Sequence, residues 1–218
     1  MPEGFPDLHQ RFDYDWGTLD AADLGADPVA ALLGWLAEAE GLGIEDYNAM
    51  ALATVGPDGR PSMRNVLLRG IDDDGRLRFF TNRSSRKGTQ IAANAAVSLL
   101  FSWLPMHRQV RVDGDATVLD DAASDEYFAT RPRQSRIAAW ASPQSQVIGS
   151  RAELDDAVAG HDAGFGDGEV PRPPFWGGYA VEPLEVEFWQ GRPNRLHDRI
   201  RFRRSPGGGP WVVERLAP

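Results

Sequence analysis

The chain has 218 residues, a formal net charge of −9 and no cysteine. Disulfides, thiolate metal sites, iron–sulfur clusters and a cysteine nucleophile are therefore excluded, and the acidic charge argues against broad binding to nucleic acid. Hydrophobic residues make up 42% and charged residues 25% of the chain, which is typical of a globular protein.

No apolar run is long enough to cross a bilayer, and the N-terminus lacks the basic and apolar regions of a secretory signal. We therefore expect a cytoplasmic protein without membrane contact. The histidines, among them His107 and His197, do not stand at metal-binding spacing from one another, so no metal site is expected.

Residues 1–27 lack regular periodicity and carry several aspartates around Tyr14 and Trp16. This pattern predicts a partly mobile N-terminal arm, followed by a single domain over residues 28–218. Asp27 and Pro28 are an N-cap and a first helical residue, and apolar residues recur at helical spacing up to Gly41. The domain is predicted to begin with one amphipathic helix.

From residue 49 onward, short runs of strand-forming residues alternate with turn residues. Strands are predicted over 49–55, 61–71, 76–82, 96–103, 107–119, 178–190, 199–204 and 210–216. Helices are predicted over 84–95, 120–131 and 133–140, and a surface loop is predicted over 160–174. Many short antiparallel strands with few helices indicate a mainly β (α+β) fold, a closed or nearly closed barrel with peripheral helices.

The stretch EFWQGRPNRLHDR, residues 187–199, places Arg195, His197 and Arg199 two residues apart behind Trp189. If the stretch is extended, all three side chains leave the same face. Two guanidinium groups beside an imidazole would suit a planar anionic ligand. An edge strand with one solvated charged face would give the same pattern, so this stretch alone leaves both interpretations open.

The segment TNRSSRK, residues 81–87, runs from the end of a strand into the start of a helix. Free backbone N–H groups and the helix dipole favour an anion there, and Arg86 and Lys87 would complete a phosphate cradle. A serine cap followed by solvated basic residues explains the segment equally well. Amide and hydroxyl groups able to bind a heterocycle occur at Gln109, Gln144 and Ser145.

Two further sets of polar residues could bind phosphate. Arg64 and Arg69 bracket an apolar strand, although strict alternation sends them to opposite faces unless a bulge intervenes. Tyr127, Arg131 and Ser135 follow at four-residue steps, although a proline interrupts any continuous helix. The alternatives are a solvated strand residue in the first set and a helix end with exposed arginines in the second.

Taken in order, the chain's motifs resemble the pyridoxamine 5′-phosphate oxidase family. The motifs are RNVLLR, FFTNRSSRKG, RQVRVDG, YFATRPRQSRIAAW, ASPQSQ, FWGGY and EFWQGRPNRLHDR. The resemblance implies an FMN-binding split β-barrel and a homodimer with FMN at the subunit interface. It also implies an FMN-dependent oxidase that converts pyridoxine or pyridoxamine 5′-phosphate to pyridoxal 5′-phosphate, while oxygen is reduced to hydrogen peroxide.

The resemblance also implies roles for individual residues. FMN would be held by Arg64, Phe80, Thr81, Arg86, Lys87, Gln109, Gln144, Ser145, Trp189 and Arg199. The substrate phosphate would be held by Arg69, Tyr127, Arg131 and Ser135. Arg195 and His197 would be catalytic, with Arg195 pressing on the pyridine ring and His197 accepting a proton, while Arg11 and Tyr14 would close over the site.

One position departs from the family's pattern, because Arg69 stands where the family most often has a lysine. Both side chains are cationic, so phosphate binding should survive. The guanidinium is larger and donates in a fixed fork, so the substrate could sit displaced against the flavin. The preferred substrate, alcohol or amine, stays open.

Two alternative functions follow from the same residues. One is a related split-barrel flavin oxidase that acts on another aromatic acid, of the phenazine-biosynthesis type. Tyr127, Arg131 and Ser135 argue against it, because a substrate without phosphate would not need them. The other is a non-catalytic binder of FMN or pyridoxal phosphate, which would bind its ligand without forming peroxide.

Overall fold

The structure is a computed structural model that describes Tyr14 and residues 16–218. The predicted arm residue Arg11 lies outside the described residues. The strands are β1 (Ala49–Val55), β2 (Pro61–Leu67), β3 (Gly70–Ile71), β4 (Leu77–Asn82), β5 (Ala96–Trp103), β6 (Arg108–Val118), β7 (Trp176–Gln190), β8 (Asp198–Arg203) and β9 (Val212–Arg215). The helices are α1 (Ala21–Leu24), α2 (Pro28–Gly41), α3 (Arg86–Ala93), α4 (Asp121–Ala129), α5 (Arg133–Ala141) and α6 (Arg151–Phe165).

All of these strands form one antiparallel sheet in the order β2-β1-β5-β6-β7-β4-β3, with β8 on β7 and β9 on β8. The sheet is curled: β2 and β4 lie far apart in this order, yet they contact each other. The result is a half-barrel with peripheral helices, which confirms the predicted mainly β architecture.

The strand β7 pairs with three neighbours. β6 runs along most of its length, β4 pairs with residues 176–181, and β8 pairs with residues 185–190. A register shift between Asp113 and Gly114 marks a bulge in the β6–β7 pair, close to Pro183. β7 therefore belongs to two branches of the sheet, one at each end.

The core follows from the alternation of side chains along the strands. In β1 every second residue is buried, and the same pattern continues in β5 and β6. Helix α2 covers the core with Leu32, Trp35 and Leu36, and Asp27 caps it by accepting a hydrogen bond from Val29 N at 2.9 Å. None of the described helices combines the length and apolarity needed to cross a membrane.

The predicted strand over 61–71 is interrupted. Leu68 still pairs with Asn48 beside β1, whereas the N–H of Arg69 donates to Arg78 O beside β4 at 2.8 Å. The chain thus passes from one edge of the curled sheet to the other between these two residues. This corner removes the strict alternation that would have sent Arg64 and Arg69 to opposite faces.

One other expectation was wrong. Residues 160–165 of the predicted loop are the last turns of α6, which holds its place through Trp140 packing on His161 and Phe165. Of the interpretations left open for the stretch 187–199, the fully extended one does not apply, because residues 191–197 reverse the chain between β7 and β8. The gap between the strands predicted over 178–190 and 199–204 lies at this turn. Asn194 and Arg195 take positive φ values of 57° and 62° in this turn, so Arg195, His197 and Arg199 do not alternate along one strand.

The described part of the N-terminal segment is anchored near β8 and β9. Leu19 and Leu24 are buried, and the N–H of Leu19 donates to Asp198 Oδ2 at 3.1 Å. Arg215 donates to Leu19 O at 3.2 Å. The mobility of the arm stays a prediction.

Gly88 gives a test of the packing at the start of α3. A Cβ atom there would lie 2.1 Å from Arg83 O, whereas a Cβ at the exposed helical Gly34 would meet nothing within 4 Å. We expect Gly88→Ala to lower the free energy of unfolding by about 3 kcal/mol because the backbone must move. The control Gly34→Ala should raise it by up to about 1 kcal/mol. Urea unfolding of both variants measures these free energies of unfolding. Equal stabilities of the two variants would contradict the close approach at Gly88.

Candidate functional site

A cavity of about 790 Å³ opens between β2, β4 and the helices α3, α4 and α5. Its lining includes five cations and, among the residues that the structure describes, no aspartate or glutamate. We call its predicted site residues the cavity group: Arg64, Arg69, Phe80, Thr81, Arg86, Lys87, Tyr127, Arg131, Ser135, Gln144 and Ser145.

The first cationic end of the cavity is the start of α3. Ser85 caps the helix, and the buried side chain of Lys87 points back along it. Lys87 Nζ donates to Gln144 Oε1 at 2.7 Å and to Thr81 Oγ1 at 3.0 Å. Burial, and next the charge of Arg64, lower the pKa of Lys87 to about 8. Among the described residues, no carboxylate bonds to this buried ammonium, so the site favours an incoming anion.

Arg64 stands at the same end and is held by neutral acceptors. Its Nη1 donates to Thr54 Oγ1 at 2.7 Å and to Leu52 O at 3.1 Å, and its Nη2 donates to Ser62 Oγ at 2.6 Å. Burial, and next the charge of Arg86, lower the pKa of Arg64. The free N-terminal amides of α3 lie in the same region, so this end suits a phosphate.

The second cationic end lies where α4 meets α5. The Tyr127 ring stacks on Phe80 with centroids 3.9 Å apart, and the Arg131 guanidinium lies 4.7 Å from the Trp176 ring centroid. Arg131 Nη1 is buried and has no hydrogen-bond partner among the described residues. Burial lowers the pKa of Arg131 and Arg69 lowers it further, while Tyr127 acts in the opposite direction. An anion bound here would supply the missing acceptor.

The remaining predicted residues form a second cluster, which we call the β7-end group: Tyr14, Gln109, Trp189, Arg195, His197 and Arg199. Gln109, Trp189 and Arg199 are direct neighbours across β6, β7 and β8, so their side chains share one face of the sheet. Arg199 donates to Glu187 Oε1 at 2.7 Å and to Ala217 O at 2.9 Å. The hydrogen bond that Arg199 donates to Glu187 raises the pKa of Arg199.

Aromatic rings meet at this end of β7. The Tyr14 ring centroid lies 4.5 Å from His107 and 5.7 Å from His197, and His197 lies 4.6 Å from Trp189. The N–H of Arg192 donates to His197 Nδ1 at 3.1 Å, which places the proton of the neutral ring on Nε2. Burial, and next the charge of Arg195, lower the pKa of His197.

The two groups stand at opposite ends of β7. Trp176 begins the strand and lines the cavity, whereas Trp189 lies near its far end and is absent from the cavity lining. The strand between them has a contour length of roughly 40 Å. Within one chain, the predicted site residues are therefore brought together as two separate groups.

Sequence reasoning missed several residues that shape the cavity. Trp176 lies in the quoted motif FWGGY, yet its contact with Arg131 required the fold. Thr54 and Ser62 accept hydrogen bonds from Arg64, and both hydroxyl groups donate to Gln90. Buried polar residues inside otherwise apolar runs are the signal that could have identified them.

Comparisons with known proteins agree in naming one family. The family model described as pyridoxamine 5′-phosphate oxidase matches residues 36–161, and the model of the pyridoxine 5′-phosphate oxidase C-terminal dimerisation region matches residues 176–218. A pyridoxine/pyridoxamine 5′-phosphate oxidase from Nocardioides sp. is 54% identical over 208 residues, covering 95% of this chain and 96% of the relative. One from Salinibacter ruber is 50% identical over 209 residues, covering 95% and 97%.

A solved structure of similar fold is PhzG from Burkholderia lata in complex with tetrahydrophenazine-1-carboxylic acid. It has a TM-score of 0.84 and 32% identity, and the match covers 93% of this chain and 100% of PhzG. A pyridoxamine 5′-phosphate oxidase-related, FMN-binding protein from Nostoc punctiforme shares the fold with a TM-score of 0.68 at 22% identity, covering 87% and 96%.

The lowered pKa of Lys87 can be measured directly. In the ligand-free protein, we expect the Lys87 amine to titrate with a midpoint of about 8, so its charge is largely lost between pH 7 and 9. Arg64→Met should raise this midpoint because one repulsive charge is removed, whereas the exposed Arg60→Met should leave it unchanged. NMR of the ¹³C-labelled lysine side chains measures the titration of Lys87. A midpoint near 10.5 for Lys87 would contradict the burial of its amine.

Proposed function

The chain belongs to the pyridoxamine 5′-phosphate oxidase family, and on that premise we propose that it is an FMN-dependent oxidase of pyridoxine or pyridoxamine 5′-phosphate. Its product would be pyridoxal 5′-phosphate, with oxygen reduced to hydrogen peroxide. The observation that carries this proposal is the cavity, which holds two sets of cations and no carboxylate among its described lining residues. Two ligands that each carry a phosphate would match it.

FMN fits the end of the cavity at α3. Arg64, Arg86 and Lys87 would bind its phosphate, while Gln144 and Ser145 offer hydrogen-bonding groups to the polar edge of its ring. When bound, FMN supplies two-electron redox chemistry and passes the electrons to oxygen, which side chains alone cannot do. The side chains of the protein would bind FMN and the substrate and orient them toward each other.

The substrate phosphate fits the end at α4 and α5. Arg131 offers its unpaired Nη1, and Tyr127 and Ser135 add hydroxyl groups. Arg69 is exposed at the rim of the same cavity and lowers the pKa of Arg131, so the two cations are close enough to share one phosphate. Binding the phosphate here would fix the position of the reacting carbon and supply part of the catalytic advantage through orientation.

The β7-end group would come from a second subunit. The residues matched by the dimerisation model, 176–218, contain Trp189, Arg195, His197 and Arg199, which do not reach the cavity of their own chain. We propose a two-fold symmetric homodimer in which the β7-end group of each subunit completes the cavity of its partner, with FMN at the interface. Gln109 and Tyr14 would join the partner's cavity with this group.

Within the β7-end group, Arg195 and His197 would face the substrate ring. Arg195 has a left-handed backbone and an exposed side chain in the turn, which leaves it free to press on a ring bound in the partner's cavity. His197 was expected to accept a proton, but its Nδ1 already accepts a hydrogen bond. We therefore propose that neutral His197 donates from Nε2 to the substrate.

The two alternatives make different predictions. PhzG resembles the chain in fold. An aromatic acid would bring one carboxylate to Arg131, whereas a phosphate offers three acceptor oxygens to Arg131, Tyr127 and Ser135 together. A non-catalytic binder would take up FMN or pyridoxal phosphate and form no peroxide.

The first test is peroxide formation by the FMN-loaded protein with pyridoxine 5′-phosphate in air. We expect peroxide and pyridoxal phosphate in equal amounts, and Arg131→Met should raise KM at least about tenfold because a charged hydrogen bond to phosphate is lost. The exposed Arg151→Met, on α6, is the matched control and should behave as wild type. Peroxide from an unrelated aromatic acid alone would favour the alternative oxidase, and bound FMN without peroxide would favour the binder.

Mixing two defective variants tests the shared site. Arg131→Met impairs the cavity group and Arg195→Leu impairs the β7-end group, so each homodimer should be nearly inactive at low substrate concentration. Random heterodimers would contain one site with both groups intact, and the mixture should recover about one quarter of the wild-type activity. Arg195→Leu alone should lower kcat strongly, whereas the amount of FMN that the variant retains should fall far less. No recovery after verified subunit exchange would mean that both groups act within one subunit.

A further inference from the structure

We propose that Gln90 is a positioning residue for cofactor binding, which holds the Arg64 guanidinium in the orientation that receives the FMN phosphate. This inference rests on the proposed binding of FMN. Gln90 lies on α3 and is 5% exposed, and it does not line the cavity. Its effect would reach the ligand only through Arg64.

A relay of hydrogen bonds connects the two residues. Thr54 Oγ1 and Ser62 Oγ donate to the same atom, Gln90 Oε1, at 2.6 and 2.7 Å. The same two hydroxyl oxygens accept from Arg64, Thr54 from Nη1 at 2.7 Å and Ser62 from Nη2 at 2.6 Å. One amide oxygen thus orders two hydroxyl groups, and these hold both terminal nitrogens of one guanidinium.

The number of protons makes this relay directional. Each hydroxyl group has a single proton, and both protons are committed to Gln90 Oε1. Only lone pairs then face Arg64, which has donors alone, so every contact in the relay is favourable. Without the acceptor on Gln90, each hydroxyl group could rotate its proton toward the guanidinium, and the orientation of Arg64 would no longer be fixed.

The relay also joins three elements of the fold. Thr54 lies on β1 and is fully buried, Ser62 lies on the edge strand β2, and Gln90 lies one helical turn beyond Lys87 on α3. Gly56, just after β1, leaves room for the amide, because a Cβ atom there would lie 3.1 Å from Gln90 Nε2. Burial of a polar amide is costly unless it is hydrogen-bonded. Here its bonds fix the α3 phosphate site relative to Arg64.

The first experiment compares FMN with riboflavin, which lacks the phosphate. Gln90→Met removes the acceptor at similar volume, and we expect it to weaken FMN binding about tenfold while riboflavin binding changes little. Flavin fluorescence quenching measures both dissociation constants on the ligand-free protein. Gln134→Met, at an exposed position on α5, is the matched control and should bind both flavins as wild type does. Equal weakening of FMN and riboflavin would overturn the proposal.

A double-mutant cycle separates positioning from stability. If Gln90 acts through Arg64, Gln90→Met should weaken FMN binding no further once Arg64 is replaced in Arg64→Met. An additive, tenfold further loss would show a general structural role and overturn the inference. Should Gln90→Met not fold, Ser62→Ala serves instead, with an expected loss of about threefold that again vanishes in the Arg64→Met background. Failure of the wild type to bind FMN would refute the proposed function itself.

Discussion

The length of β7 and the pairing of its two ends with different strands determine where the candidate site residues lie. A strand pairs with at most two neighbours at any point, so β6 takes one side while β4 and β8 divide the other. Candidate site residues lie near both ends of the strand, and an extended backbone cannot fold back to join them. The fold thus keeps the two groups of candidate residues apart within one chain, and the proposed homodimer would bring them together.

The cavity group and the β7-end group differ in how their positive charges are neutralised. At the β7 end, Glu187 lies between Arg199 and Arg111, which donates to Glu187 Oε2 at 3.0 Å. Those cations are neutralised by the chain itself. In the cavity, Lys87 and Arg64 have only neutral acceptors, and burial lowers the pKa of both. Uncompensated buried charge costs stability, and the proposed binding of a phosphate would offset that cost.

The hydrogen bonds of the cavity show how the fold keeps these cations in place without cancelling them. Hydroxyl, amide and carbonyl oxygens hold Arg64 and Lys87 at 2.6 to 3.1 Å. A carboxylate in the same place would fix the geometry equally well, but it would compete with the ligand for the charge. Neutral acceptors supply orientation and leave the positive potential available to an anion.

The sequence by itself determined the local structure and the chemical kinds of residue at the site. Period-two patterns, Asp27 before Pro28 and Ser85 before α3 are local signals, because strand alternation and helix capping depend on neighbouring residues. The ordered motifs named the family and its candidate residues. The tertiary structure decided which of them meet. The corner at Leu68 and Arg69 put Arg64 and Arg69 in one cavity, and β7 separated the two groups. These outcomes depend on contacts between residues distant in the chain, which no local pattern encodes.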